Sequence, residues 1–194
     1  MSDLLLHEDS FDALCNIADK SVALVLTDPP YDFTDNQKSE IFTEFCRICT
    51  GAIIVFCPPE NQWNMEVPCQ YLFWTKPVST KNTSKSYSRF VEMIQIWYAD
   101  NGAWNCKGHW SNYVNVFTDY VDGAMVHPFQ KPMSLMRRLI LNHSNVGDVV
   151  LDSFMGSGTT GIAAQFSGRG FIGIEKDKDI YDCACNRINA SGVG

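Results

Sequence analysis

The stretch "LDSFMGSGTTGIAAQF", residues 151–166, decides the fold. It continues the apolar run "DVVLD" (148–152) and passes through glycines into small and apolar residues of helical character. Gly156, Gly158 and Gly161 stand in the order G-x-G-x-x-G, and Glu175 follows nineteen positions after Gly156. Strand, glycine turn, helix and a later acid together form a nucleoside-binding fingerprint. The glycines let backbone approach a ligand, and the acid takes ribose hydroxyls. NAD, FAD and S-adenosylmethionine all present an adenosine ribose to such an acid, so this loop alone does not choose among them.

Outward from the loop, short apolar runs recur that are too short and too β-branched or aromatic for helices. They are 4–6, 22–26, 52–57, 71–74, 90–98, 148–152 and 170–174, which predicts seven strands. Helical patterns fall around 10–18, 36–49, 131–143, 159–167 and 177–189. Alternating strands and helices predict a Rossmann-like α/β fold with a mostly parallel sheet, and the helix-free run 69–98 predicts an antiparallel edge hairpin. No repeat or linker interrupts residues 1–194, so one domain is expected. Four predicted strands lead to an acid: Asp9, Asp28, Asp152 and Glu175. One acid after a strand is commonly a helix N-cap. Four would crowd the carboxyl rim of the sheet, where ligands of open α/β sheets bind.

Composition narrows the class. Apolar residues make up 45% and charged residues 19%, a globular balance. No run approaches the roughly 20 apolar residues of a membrane helix, and "MSDLLLHEDS" has neither a basic start nor a long apolar stretch. The eight cysteines include one CxxC (Cys46, Cys49) and one CxC (Cys183, Cys185), which is not the spacing of a four-ligand zinc site. Reduced cysteines in a soluble cytoplasmic protein are the expectation. The net charge of −7 disfavours a general polyanion binder, yet "KPVSTKNTSKSYSR" (76–89) holds Lys76, Lys81, Lys85 and Arg89 with no acid.

A second stretch, "VALVLTDPPYDF" (22–33), runs five apolar residues into Asp28, Pro29, Pro30 and Tyr31. Taken with the glycine loop, it resembles the amino-methylating DNA methyltransferases, whose motif is Asp/Asn/Ser-Pro-Pro-Tyr/Phe/Trp. "DSFMGSGTTG" is similar to that family's glycine motif, "GRGFIGIE" to its later segment, and "HPFQKPMSLMRRLI" to its "H-P-x-Q-K-P" segment. The catalytic motif precedes the glycine motif, as in the permuted beta-class. The family's proline is replaced by Ser153, and Glu8 stands where a glycine is usual. Only residues 100–125 are available where beta-class enzymes insert a target-recognition region, so a minimal form is expected.

The resemblance implies a circularly permuted S-adenosylmethionine-dependent methyltransferase fold and methyl transfer to the exocyclic amine of a flipped DNA base. Adenine N6 is favoured, with cytosine N4 as the alternative. It implies a catalytic role for Asp28, Pro29, Pro30 and Tyr31. Cofactor contacts are implied for Asp9, Asp28, Phe129, Lys131, Asp152, Phe154, Gly156, Ser157, Gly158, Thr159 and Glu175. Lys131 also fits a solvated lysine at a helix start. No metal is required, and His127 lacks companion ligands. Lys76, Lys81, Lys85, Arg89 and Trp110 are candidate DNA contacts, in loops 76–89 and 100–125; Trp104 and Trp110 equally fit packing onto the sheet. Four neutralised phosphates give a log–log salt slope of about −3.6. A homodimer supplying further DNA contacts is compatible with the missing insert, and a bacterial or phage-infected cell, with a restriction-modification setting, is the expected context. Two other classes remain: a dinucleotide-dependent oxidoreductase, which leaves "DPPY" unexplained, and a non-catalytic nucleic-acid binder, against which Asp28 and Tyr31 argue.

Overall fold

The structure is a computed structural model that describes residues 3–76, 91–99, 116–119 and 130–191. Its strands are β1 (Leu4–Leu6), β2 (Val22–Thr27), β3 (Cys49–Cys57), β4 (Gln70–Thr75), β5 (Val91–Tyr98), β6 (Val116–Thr118), β7 (Val149–Asp152) and β8 (Gly170–Ile174). The helices are α1 (Ser10–Leu14), α2 (Asp35–Ile48), α3 (Met133–His143), α4 (Thr159–Phe166) and α5 (Lys178–Ala190), with a 3-10 turn at Pro59–Asn61. The strands form one sheet in the order β1-β8-β7-β2-β3-β5-β4-β6. Only β5 runs against its neighbours: it pairs antiparallel with both β3 and β4, while the other pairs are parallel.

Eight strands replace the predicted seven. The added strand, β6, lies inside the stretch expected to be loop, and its three residues are too few to show an alternating pattern. It pairs parallel with β4 and takes the outer edge, so the hairpin β4–β5 is one strand in from that edge. The Trp74 indole donates to the Asp119 carbonyl and the Thr75 hydroxyl to the Phe117 carbonyl, which fasten this edge. Helix α1 is also shorter than predicted, because the chain passes at Asn16 and Ile17 into tighter turns bonded to Ala13 and Leu14.

Helices cover both faces, as a mostly parallel sheet requires to bury its two apolar sides. Alternate strand residues such as Leu26, Ile54, Ile94 and Phe171 pack with α3, α4 and α5. Their opposite-facing neighbours Val25, Val55, Met93 and Leu151 pack with α1 and α2. Helix α2 begins with a reciprocal capping box between Thr34 and Gln37 and buries Ile41, Phe42, Phe45 and Ile48. Strands β2 and β3 approach closely at Gly51, where an added Cβ would lie 2.2 Å from the Ala23 carbonyl oxygen. No helix among the described residues is long and apolar enough to cross a membrane.

Candidate active site

Sheet order explains the crowding of acids anticipated from the sequence. The four acid-tipped strands β1, β8, β7 and β2 are consecutive and parallel, so Asp9, Glu175, Asp152 and Asp28 reach the same rim. A cavity of about 380 Å³ opens there, lined by Asp28, Pro29, Pro30, Tyr31 and Lys131 on one side and by Phe154, Gly156, Ser157, Thr159 and Glu175 on the other. Asp152 lies between the two groups. Asp9 is not among the lining residues; its carboxylate accepts the Phe11 amide and caps α1.

The three glycines serve three different ends. Gly156 sits at φ +49°, and an added Cβ would meet only the Phe154 carbonyl oxygen, at 3.9 Å, among the described residues, which leaves room for a ligand to lie against backbone. Gly158 adopts φ +79°, and its missing Cβ would come within 3.0 Å of Ile188 on α5. Gly161, inside α4, would bring a Cβ to 2.7 Å from the Phe171 ring of β8. Gly158 does not line the cavity: it shapes the turn that Gly156 and Ser157 present. Glu175 holds that turn, accepting the Gly156 amide (3.1 Å) on one oxygen and the Asp177 amide (2.9 Å) on the other. Arg187 of α5 donates to the Ser157 carbonyl from behind.

Asp152 is buried and its oxygens are already taken. It accepts from the Thr27 hydroxyl (2.9 Å), the Thr160 hydroxyl and the Phe154 amide (3.1 Å). Burial nevertheless pushes its carboxyl up to about 6. Its contribution is to join the ends of β2 and β7 to the start of α4.

The Pro-Pro turn after β2 is held from the far side. Asn61 donates to the Tyr31 carbonyl (2.7 Å) and the Phe33 carbonyl (3.3 Å), and buried Lys38 holds the Asn61 side chain. The Phe33 and Phe154 rings meet edge to face with centroids 5.6 Å apart, which links the Pro-Pro turn to the glycine loop.

Beneath Asp28 lies a buried charge network. The Lys131 ammonium is 2.7 Å from Asp28 Oδ2 and 2.9 Å from Glu92 Oε2. Glu92, on β5, also pairs with Lys76 (2.8 Å) and accepts the Tyr31 hydroxyl (2.9 Å). The Lys131 ammonium lies 4.9 Å from the Phe56 ring centroid. Asp28 Oδ1 has no hydrogen-bond partner among the described residues. Burial raises the Asp28 carboxyl above its usual range; Lys131 opposes this, and the like charge of Glu92 adds to it. For Glu92 burial also acts upward, but Lys131 and Lys76 outweigh it and hold the carboxyl low. Burial would discharge Lys131, yet Asp28 and Glu92 together keep it protonated.

Glu92 was missed by sequence reasoning. Its signal was a lone acid inside the apolar run "FVEMIQIWY", and its partners come from three other segments. Lys131 lies against Asp28, and Lys76 has its charge committed to Glu92. Phe129, Lys81, Lys85, Arg89, Trp104, Trp110 and His127 lie outside the described residues.

Comparison with known proteins fits this geometry. Residues 53–186 match the family described as DNA methylase. The chain belongs to the DNA methylase family. Among curated relatives of this methylase, the DNA adenine methyltransferase YhdJ of Escherichia coli K12 is 26% identical, over 96% of this chain and 83% of its own. That alignment runs over 243 positions, more than this chain has residues, so YhdJ carries stretches without counterpart here. Among solved structures, the M1.HpyAVI complex with SAM superposes with a TM-score of 0.74 at 26% identity, covering 95% of this methylase and 98% of M1.HpyAVI. The PvuII cytosine-N4-specific DNA methyltransferase shares the fold, with a TM-score of 0.76 at 15% identity, covering 98% and 91% of the two chains.

Proposed function

We propose that this methylase transfers a methyl group from S-adenosylmethionine to the N6 amine of adenine in DNA. The observation that carries the reading is that Asp28, Pro29, Pro30 and Tyr31 line one cavity with the glycine turn and Glu175. The residues fit the methyl donor: the uncrowded backbone at Gly156, its positive φ and the Glu175 carboxylate form a cradle for a nucleoside. S-adenosylmethionine supplies an electrophilic methyl on a sulfonium.

An exocyclic amine is a poor nucleophile because its lone pair is delocalised into the ring. Two acceptors aimed at its hydrogens favour the pyramidal form whose lone pair can attack. Asp28 and the Pro29 carbonyl are the acceptors in this reading, since the prolines stop β2 at the rim and remove competing N–H donors. Lys131 pairs with Oδ2, Oδ1 has no hydrogen-bond partner among the described residues, and the Lys131 charge favours an ionised Asp28. Tyr31 offers a ring for the base, which must leave the duplex to enter the site. Stacking of about 1–3 kcal/mol offsets a cost of a few kcal/mol.

Adenine is favoured by the aspartate-first motif and by likeness to YhdJ; the likeness to the PvuII enzyme extends to the fold. With Lys76 committed to Glu92, Lys81, Lys85 and Arg89 are left to meet phosphates, which predicts a salt slope of about −2.7. Lys81→Ala with Lys85→Ala flattens that slope, read by DNA binding across a salt series. Incubation with unmethylated DNA and labelled S-adenosylmethionine, followed by nucleoside mass spectrometry, tests the main reading. N6-methyladenine is expected. N4-methylcytosine moves the reading to the alternative base, and no methylated base while the donor binds overturns it.

A further inference from the structure

Glu92 touches three parts of the site at once, although it does not line the cavity. It lies on β5, the reversed strand, with its side chain 8% exposed. One oxygen receives the Tyr31 hydroxyl at 2.9 Å and the Lys76 ammonium at 2.8 Å, and the other faces Lys131 at 2.9 Å. Lys131 in turn reaches Asp28 at 2.7 Å. The two working parts of the catalytic turn, its carboxylate and its ring, are therefore tied to one carboxylate on another strand.

We infer that Glu92 is the positioning residue of this active site: through Lys131 it aims Asp28, and through the Tyr31 hydroxyl it sets the ring that receives the base. Burying an acid costs several kcal/mol unless it is paired, and replacing the whole network by apolar side chains could fill the same volume. What an apolar filling cannot do is hold Lys131 at Asp28 Oδ2 and so fix the orientation of that carboxylate. Glu92 and Asp28 share one ammonium, so Glu92 also sets how much of that charge Asp28 feels. The titratable groups facing Asp28 are Lys131 before α3, Glu92 on β5, Tyr31 on its own turn, Asp152 on β7 and Cys57 on β3. Of these, Glu92 can be altered without touching substrate or donor.

The inference rests on the methyl-transfer reading above, and the test separates the two. Glu92→Gln keeps shape and the acceptor for Tyr31 but loses charge. At saturating DNA and S-adenosylmethionine its kcat falls by up to about a hundredfold, while donor affinity stays within about twofold of wild type. The acid limb of its kcat–pH profile moves to lower pH, because the like charge beside Asp28 is gone and Lys131 serves Asp28 alone. Lys76→Met, at the outer end of the network, moves the limb the other way, since Glu92 then draws harder on Lys131. A Glu92 that only supports the fold lowers the rate evenly and leaves the limb in place, and that result overturns the inference. Should Glu92→Gln not fold, Lys76→Met decides alone, and an unmoved limb overturns the inference. Wild-type protein inactive on all DNA overturns the methyl-transfer reading instead.

Discussion

In the methyl-transfer reading, Asp28 acts through two oxygens with different surroundings. Oδ2 faces an ammonium, whereas Oδ1 is buried without a hydrogen-bond partner among the described residues, so the carboxylate is oriented before substrate arrives. Asp28→Asn keeps the shape and lowers kcat by about 10²–10³, with donor affinity little changed, as kinetics alongside equilibrium dialysis would read. The reaction needs Asp28 ionised, and burial holds its carboxyl above the ordinary value of 3.8. Activity therefore falls on the acid side at a pH above that value, and the limb disappears with Asp28→Asn. The residues legible in sequence were those whose partners are sequence neighbours: the Pro-Pro turn, the glycines and Glu175 act within short windows. Glu92 and the destination of Lys131 were not legible, because β5 reaches the site only through its pairing with β3, where Ile94 lies opposite Phe56. Asp9 shows the capping role that a single acid after a strand usually has.

At the scale of elements, the turn from β7 into α4 separates backbone freedom from packing. Gly161→Ala forces a methyl into the Phe171 and Ile188 side chains and costs about 1–3 kcal/mol. Gly156→Ala meets only an ordinary contact with the Phe154 carbonyl oxygen at 3.9 Å, so its cost is the left-handed backbone, about 1–2 kcal/mol, but in the proposed reading its methyl stands where the donor approaches. Denaturant unfolding with donor titration separates the two: the first variant loses mainly stability, the second mainly donor affinity. Helix α3 ends on His143, which is 2% exposed and whose pKa burial lowers from 6.5 to about 4. The unfolded chain binds a proton below 6.5 that the folded chain refuses, so its contribution is whole above 6.5 and is lost as pH falls to about 4. The loss is on the order of 3 kcal/mol, and His143→Phe flattens it in unfolding curves taken across that range. Element type was readable from period and turn chemistry throughout. Strand β6 escaped because it has three residues and is defined by Phe73, Trp74 and Thr75 of β4 rather than by its own pattern.

Across the whole molecule, the sheet gathers two halves of the sequence around one cavity. Strand β2 brings the catalytic turn and β7 the glycine turn, and Leu24 lies directly opposite Val150. A donor bound there touches both halves and must stabilise the fold as a unit. At a hundred times its Kd, S-adenosylmethionine adds about 2.7 kcal/mol, which for a chain of this size raises Tm by roughly 5–10 °C. NAD at the same concentration leaves Tm in place, so thermal unfolding with each ligand distinguishes the two nucleosides that the glycine loop alone could not.

The placement of β1 carries one more consequence. Among the described residues its neighbour in the sheet is β8, with Leu4 opposite Ile172, so a strand made well before β8 waits for it. Pairings this distant in the chain slow folding, and apolar edges left unpaired meanwhile invite aggregation. Strands β2 and β3 can join early, but the rim that receives the nucleoside closes only when residues 170–174 have been made. A nascent chain stalled before that point would carry "DPPY" intact and have nowhere to hold a methyl donor.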